Sequence, residues 1–516
     1  MSHRMLALFL LLAACGSSDP APEPREAASE PPDAVAPATD PAPQATDATQ
    51  EADPATEEAA LTLPEDYEGL SEPQFDDLDA MAKRGYVRVL VVHSKLFYFI
   101  DRGRQRGVTY ETLQAFETHL NRKLKTKTIK VHVIPIPVAR DQLFTALKEG
   151  KGDIAAAGLT VTRERQELVD FARPFAQGVA EIVVTGPTAP ALATLDDLAG
   201  KTVWVRRSSS YYPHLAELSR RFAAERKPAI DLKAADENLE DEDLIEMVAA
   251  GVLPLTVVDA YAAEFWSQVF TQAKARTDLP VHEGGDIAWA LRKQTPKLAA
   301  AVNEFVRTHK QGTHAGNVVL FKYLKNTKWV RNALAEGEIS KLAPMVALFQ
   351  QYSDRYDFDW LMVAAQAYQE SGLDQKKRSH VGAVGVMQVM PTTASDRRVN
   401  VKGIEKLEQN IHAGTKYLRL LSDQYFDDPA IDDRNRMLFC FAAYNAGPNR
   451  VQSLRREAAK RGLDPNVWFQ NVEIVAARRI GRETVQYVSN IYKYYLAYQL
   501  VEHRRELRRE AQEKVS

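Results

Sequence analysis

The sequence predicts a multidomain chain, an α/β unit followed by an all-helical unit, carried behind a short leader and a polar tether. Three observations predict this. Between residues 80 and 330, valine-rich apolar runs alternate with helix-period segments, the pattern of a mostly parallel sheet covered by helices. Between residues 341 and 500, apolar residues recur at helical spacing with no convincing strand. Residues 16–64 are almost wholly Ala, Pro, Asp, Glu, Ser and Thr and hold no aromatic residue, so the segment 15–79 is expected to be a disordered tether. A length of 516 residues accommodates these parts. A net charge of −3 with both signs mixed and no basic stripe excludes a nucleic-acid partner, and two cysteines exclude a disulfide framework.

Taken in chain order, MSHRMLALFLLLAAC comes first. Arg4 precedes an apolar run from Met5 to Leu12 that is too short to span a bilayer, so residues 1–14 read as a signal peptide. The small residues before Cys15 resemble a bacterial lipobox, which implies cleavage there and lipidation of Cys15. Gly16 and Ser17 follow where an aspartate would suggest inner-membrane retention, so the expected place is the periplasmic face of the outer membrane, anchored by lipid. The α/β unit then opens with the strand YVRVLVV and the helix GVTYETLQAFETHLNRKL, whose Leu113, Phe116 and Leu120 share a face. IKVHVIPI, KGDIAAAGL, EIVVTG, KTVWV and PLTVVD continue the strands, with helical segments between them.

The stretch LKEGKGDIAAAGLTVTRERQELVDFARPF resembles the signature of the family 3 extracellular solute-binding proteins. That resemblance implies a two-lobed, periplasmic-binding-protein-like α/β domain over residues 80–330, with a ligand cleft between the lobes. It also implies that Thr160 and Arg165 hold a ligand carboxylate and Asp259 an amino group, so muropeptides or amino acids are the expected ligands. A planar guanidinium opposite a carboxylate suits a zwitterion. The alternative is that Arg165 and Asp259 make structural ion pairs. Gly158 departs from the family pattern, where a serine is common, which weakens the expectation of tight binding.

A short helical connection around Asn326–Ser340 leads into the second unit. Leu342, Val346 and Phe349 share one helical face. A further helix starts near Asp357 or Asp359, either of which suits its N-cap, and points Leu361, Ala365 and Tyr368 inward. Gly372 is placed to stop it. Glu370 therefore falls in the last turn, at the negative end of the helix dipole. Shielding by Val384, Val386 and Met387 would disfavour its charge a second time. A carboxyl kept protonated near neutrality suits proton donation, although a lone glutamate ending a helix is ordinarily just solvated.

The surroundings decide the matter. ESGLD, GAVGVMQVMPTTA, NIHAGTKYL, FAAYNAGPNRV and ETVQYVSNI occur in this order and resemble the soluble-lytic-transglycosylase domain, an all-α goose-lysozyme-like fold, over residues 341–500. Residues 501–516 read as a charged tail. The resemblance implies that Glu370 is the catalytic acid acting on peptidoglycan glycan strands. It would protonate the MurNAc–GlcNAc bond and then take the proton of the muramyl C6 hydroxyl, leaving a 1,6-anhydro end. Gln388, Tyr444, Asn445 and Tyr487 are implied groove residues. Ser371 would contact substrate or cap the helix, and Met387 would offer an apolar face or pack in the core. The two tyrosines have core packing as their ordinary alternative. Hydrolytic glycosidases need a second carboxylate roughly 5–9.5 Å away. Asp374, past Gly372, is expected to point to solvent, so no obvious second acid exists. Cys440 reads as an inert buried thiol, and neither metal nor cofactor is expected. A hydrolytic muramidase on the same fold, or a non-catalytic cell-wall sensing protein, are the competing functions.

Overall fold

The computed structural model describes residue 70, residues 72–101, 104–324 and 334, and residues 336–515. The signal peptide, Cys15, most of the tether and residues 325–333 and 335 of the connection lie outside the described residues. The folded part starts earlier than the tether boundary at residue 79 implied. Leu70 is buried, Gln74 N donates to Gly150 O, and the helix Leu78–Arg84 is capped by Asp77. These residues belong to the α/β unit because Arg88, fully buried, donates to the carbonyls of Leu70 and Glu72 and needs them there.

One nine-stranded sheet organises the first unit. Across it, neighbouring strands are His132–Pro137, Tyr86–Val91, Ile154–Thr160, Lys274–Leu291, Ala176–Thr185, Leu255–Asp259, Thr202–Arg206 and Asp231–Ala235, with the short strand Asp170–Phe171 beside the long one. The outer pairs are parallel, as alternation with helices requires. Ala176–Thr185 and Lys274–Leu291 run antiparallel to their neighbours and to each other. They form the two crossings between the lobes. The register between them shifts repeatedly around Gly285, which marks the bend. The helix Val108–Lys123 buries Leu113, Phe116 and Leu120 against the first lobe, as their spacing predicts.

The second unit is helical throughout. Helices Val346–Tyr356, Trp360–Ser371, Leu407–Tyr425, Asp433–Ala446 and Pro448–Lys460 surround a core with Val363, Leu418, Phe439 and Val488 at its centre. The final helix runs unbroken from Arg482 to Val515, so residues 501–516 do not begin a separate tail; the described part extends that helix. The apolar core of the second lobe is continuous with that of the helical unit, through Tyr323, Leu334 and Leu342, whereas the first lobe has its own core. No helix among the described residues is long and apolar enough to cross a membrane.

Candidate active site

Glu370 sits where the sequence places it. Asp359 Oδ1 caps the helix Trp360–Ser371 by accepting from Leu361 N, and Gly372 ends it at φ 68°. Leu361 to Tyr368 are all buried, so this helix threads the core and delivers Glu370 to the core's rim. The residue stays partly open to solvent while packed atoms crowd its carboxyl. Burial raises its pKa to about 7, against the opposing pull of a hydrogen bond from Tyr487 and the charge of Lys377. Tyr487 Oη donates to Glu370 Oε1 at 2.5 Å. Burial and the carboxylate push the phenol's own pKa well above its ordinary value, so the phenol keeps its proton. Lys377 Nζ donates to the Glu370 carbonyl at 2.6 Å, covering an orphan acceptor of the last turn. Asp374 is exposed and accepts from Lys376 N. Among the described residues, Lys377 is the one charged group whose field acts on Glu370; no carboxylate does.

The glycine-rich stretch forms a closed loop beside the acid. Val384 and Val389 exchange both backbone hydrogen bonds, and Gly385 at φ 81° turns the chain between them. A Cβ on Gly385 would lie 2.4 Å from Asn410 Nδ2, so only glycine fits. Buried Asn410 holds this loop, accepting from Met387 N at 2.8 Å and donating to the carbonyls of Val384 and Ile404. Gln375 adds a bond, its Oε1 accepting from Val386 N. Neither Asn410, Gln375 nor Lys377 was singled out in the sequence. Asn410 heads the NIHAG motif, and that was the available signal.

Two implied groove residues are tied into the core and the loop. The Met387 side chain is fully buried against Gly414, where a Cβ would come within 2.8 Å of it, so it cannot face a sugar. Its carbonyl instead accepts from Tyr444 Oη at 2.8 Å. Ser371 Oγ donates to Val386 O at 2.8 Å and accepts from Asp374 N, so it ties the helix end to the loop. Gln388, half-buried, adopts φ 47° and its amide Nε2 donates to Gly385 O and Lys377 O. Tyr444, half-buried, packs on Tyr417 and feels the charge of Glu370. Asn445 is exposed and accepts from Thr484 Oγ1. Cys440 is buried, and burial raises its thiol pKa. Glu370, Gln388, Tyr444, Asn445 and Tyr487 are thus brought to one region by three helices and a loop.

The cleft of the first unit is bridged by its own side chains. Arg165 donates to Thr160 O and Ser208 O, both at 2.8 Å, one in each lobe. Ser210 Oγ donates to Thr160 Oγ1, and Arg140 grips both carboxylate oxygens of Glu240 at 3.0 Å. The guanidinium donors that the resemblance assigns to a ligand are therefore held by backbone carbonyls here. Asp259 is buried and hydrogen-bonded by Tyr261, its Oδ1 has no hydrogen-bond partner among the described residues, and burial raises its pKa well above the ordinary value. Gly158, at φ 60°, lies under the Tyr261 hydroxyl, 3.2 Å from where a Cβ would be. A serine there would be strained and crowded. Arg140 and Glu240 were not legible as cleft residues because they meet each other across the lobes, 100 residues apart in sequence.

A two-lobed α/β scaffold joined to a helical unit that brings a glutamic acid to the rim of its core fits a class, the modular glycan-cleaving enzymes. The comparisons agree with it. The model of bacterial extracellular solute-binding proteins, family 3, matches residues 88–317, and that of the transglycosylase SLT domain matches residues 347–466. Membrane-bound lytic murein transglycosylase F of Desulfosudis oleivorans is 30% identical, covering 80% of this chain and 90% of its own length. The Pseudomonas fluorescens protein of that name is 29% identical over 81% of this chain and 85% of its own. An ancestral arginine-binding protein bound to arginine is 22% identical and covers 46% of this chain and 98% of its own, with a TM-score of 0.38. The chain belongs to the membrane-bound lytic murein transglycosylase F family, and it is a lytic murein transglycosylase.

Proposed function

We propose that Glu370 performs both proton transfers of this transglycosylation. The observation that carries the reading is a rim-placed carboxyl, held near pH 7 by burial, with a phenol as its hydrogen-bond partner and no second carboxylate acting on it among the described residues. Protonated Glu370 gives its proton to the oxygen bridging MurNAc and GlcNAc. The resulting carboxylate then takes the proton of the muramyl C6 hydroxyl as that oxygen attacks C1. The 1,6-anhydro ring closes and no water is consumed. Gln388, Tyr444 and Asn445 line the glycan's path, and the Gln388 carbonyl suits an acetamido N–H. Glu370→Gln keeps the shape and loses the proton, so cleavage of purified sacculi should fall by about 10²–10⁴-fold. Mass analysis of wild-type products should show anhydro ends; products heavier by one water would mean a muramidase. Activity of the variant within tenfold of wild type would remove Glu370 from the role.

The solute-binding unit serves, in this reading, as a ligand-responsive module for stem peptides or amino acids. What supports it is the long helix Arg482–Val515. It carries Tyr487, and it touches the first lobe through Gln486 and Ile100 N and the second through Lys493 and Asp243. Lipid anchoring at Cys15 to the outer membrane rests on the sequence of the leader, and family membership supports membrane association. Membrane fractionation of Cys15→Ala checks it: protein that still pellets with membranes would rule out the lipid as the sole anchor.

A further inference from the structure

Gln366 lies one turn before Glu370 on the helix Trp360–Ser371 and is fully buried. Val363, Ala364, Ala365 and Ala367 beside it in sequence are buried too, so an amide stands among apolar residues where a hydrocarbon side chain would be the ordinary choice. Its Nε2 is 3.3 Å from Tyr487 Oη, and Tyr487 Oη is 2.5 Å from Glu370 Oε1. Its Oε1 is buried with no hydrogen-bond partner among the described residues. A half-satisfied buried amide is unfavourable by itself. Its other half therefore has work that a methionine could not do.

Counting protons fixes the direction of each bond. A phenol has one proton to donate. Tyr487 gives it to the Glu370 carboxylate, so the amide face that meets the phenol oxygen is the NH₂ and not the carbonyl. When Glu370 is protonated, two arrangements compete. The acid's proton can sit on Oε1 and point at Tyr487, or sit on Oε2 while Tyr487 donates to Oε1. An N–H from Gln366 occupies the accepting side of the Tyr487 oxygen and disfavours the first.

We infer that Gln366 is a positioning residue: by donating to Tyr487 it keeps the phenol a donor to Glu370 Oε1, and so holds the transferable proton on Oε2. The inference rests on Glu370 being the acid. During cleavage the Oε2–H bond breaks as the bridging oxygen gains the proton, and the C6 hydroxyl proton later returns to Oε2. The proton of Tyr487 stays in place throughout. The groups facing Glu370 are Tyr487 from the last helix, Tyr444 from the helix Asp433–Ala446, and Lys377 from the loop after Gly372.

The test is Gln366→Met, equal in length and without a donor, in the full chain and in the Tyr487→Phe background. The single variant should lose about fivefold in kcat, the worth of one neutral hydrogen bond, with KM unchanged. Its alkaline limb should move to higher pH, because Tyr487 then holds the carboxylate less firmly. In Tyr487→Phe the same substitution should change neither quantity. A wild-type rate and pH profile for Gln366→Met, or equal effects in both backgrounds, would overturn the inference. Should Gln366→Met not fold, the wild-type protein still decides. The difference infrared spectrum between acid and alkaline pH, referenced to Glu370→Gln, should place the protonated Glu370 carbonyl at a hydrogen-bonded frequency. A free-carbonyl frequency would overturn the inference equally. Glu370→Gln measured alongside separates the failures: an active variant sinks the assignment of the acid, and an inactive one with a silent Gln366→Met sinks only this step.

Discussion

At the scale of the residue, the conflict is between what Glu370 does and what it costs. Its folded-state pKa is about 7, against about 4.5 for an ordinary glutamate. Below the lower value both folded and unfolded chains hold the proton, and the stability is fully present. As pH rises from about 4.5 to about 7 the unfolded chain releases the proton and the folded chain does not, so stability is lost across that window. At about 1.4 kcal/mol per pH unit the loss amounts to roughly 3 kcal/mol. Glu370→Gln carries no such charge. Its melting temperature should match wild type near pH 4 and exceed it above pH 7. Equal melting temperatures at pH 8 would mean that the carboxyl is ordinarily solvated. Where the helix ends and which acid ends it were legible in the sequence; the phenol that meets the acid was only a family expectation.

The decisive element is the helix Arg482–Val515. Its near end donates Tyr487 to the acid, and its middle crosses the α/β unit. Lys493 Nζ lies 2.9 Å from Asp243 Oδ2, and Lys95 Nζ lies 2.9 Å from the other oxygen of the same carboxylate. Lys493 and Asp243 are both buried. The two ammonium groups and a backbone hydrogen bond hold the Asp243 pKa well below the ordinary carboxylate range, although burial opposes them. Removing one partner of a buried pair commonly costs 3–5 kcal/mol, and because Lys95 remains, Lys493→Met should cost about 3 kcal/mol or less. Denaturant titration of the full chain reads this directly. No measurable change would mean that water already separates the pair, and the helix would then rest on the second lobe through its apolar face alone.

For the whole molecule, the question is what closes the lobes. Arg140 with Glu240, and Arg165 with the carbonyls of Thr160 and Ser208, supply polar bonds across the cleft. A ligand carboxylate would have to compete with the Arg165 carbonyl contacts, and Asp259 Oδ1, without a hydrogen-bond partner among the described residues, is the atom an ammonium would satisfy. If the lobes and the last helix move together, a stem peptide should alter cleavage by the full chain severalfold, within the 1–3 kcal/mol usual for coupled sites. Arg165→Ala should lose both the peptide's calorimetric signal and its effect on activity. Binding without any change in cleavage would reduce the unit to targeting, and no binding of peptide or amino acid would leave it a spacer.

The sequence by itself determined the order of the units, the sheet's alternation with helices, and the helix that stops at Gly372 just after Glu370. Those features come from local physics: residue periodicity, caps and left-handed glycines act within one element. It also misplaced two limits, because the burial of Leu70 under Arg88 and the continuation of the last helix past residue 500 depend on packing partners far along the chain. Only the tertiary structure decided that Met387 is buried and Ser371 bonds the loop while Glu370 and Gln388 stay half-buried, since one residue along the backbone separates a core position from a rim position. Only it could join Gln366, Tyr487 and Glu370, which lie on two helices 117 residues apart at the Tyr487–Glu370 contact. A hydrogen bond is set by the distance between two atoms, and across such a separation that distance exists only once the core has packed.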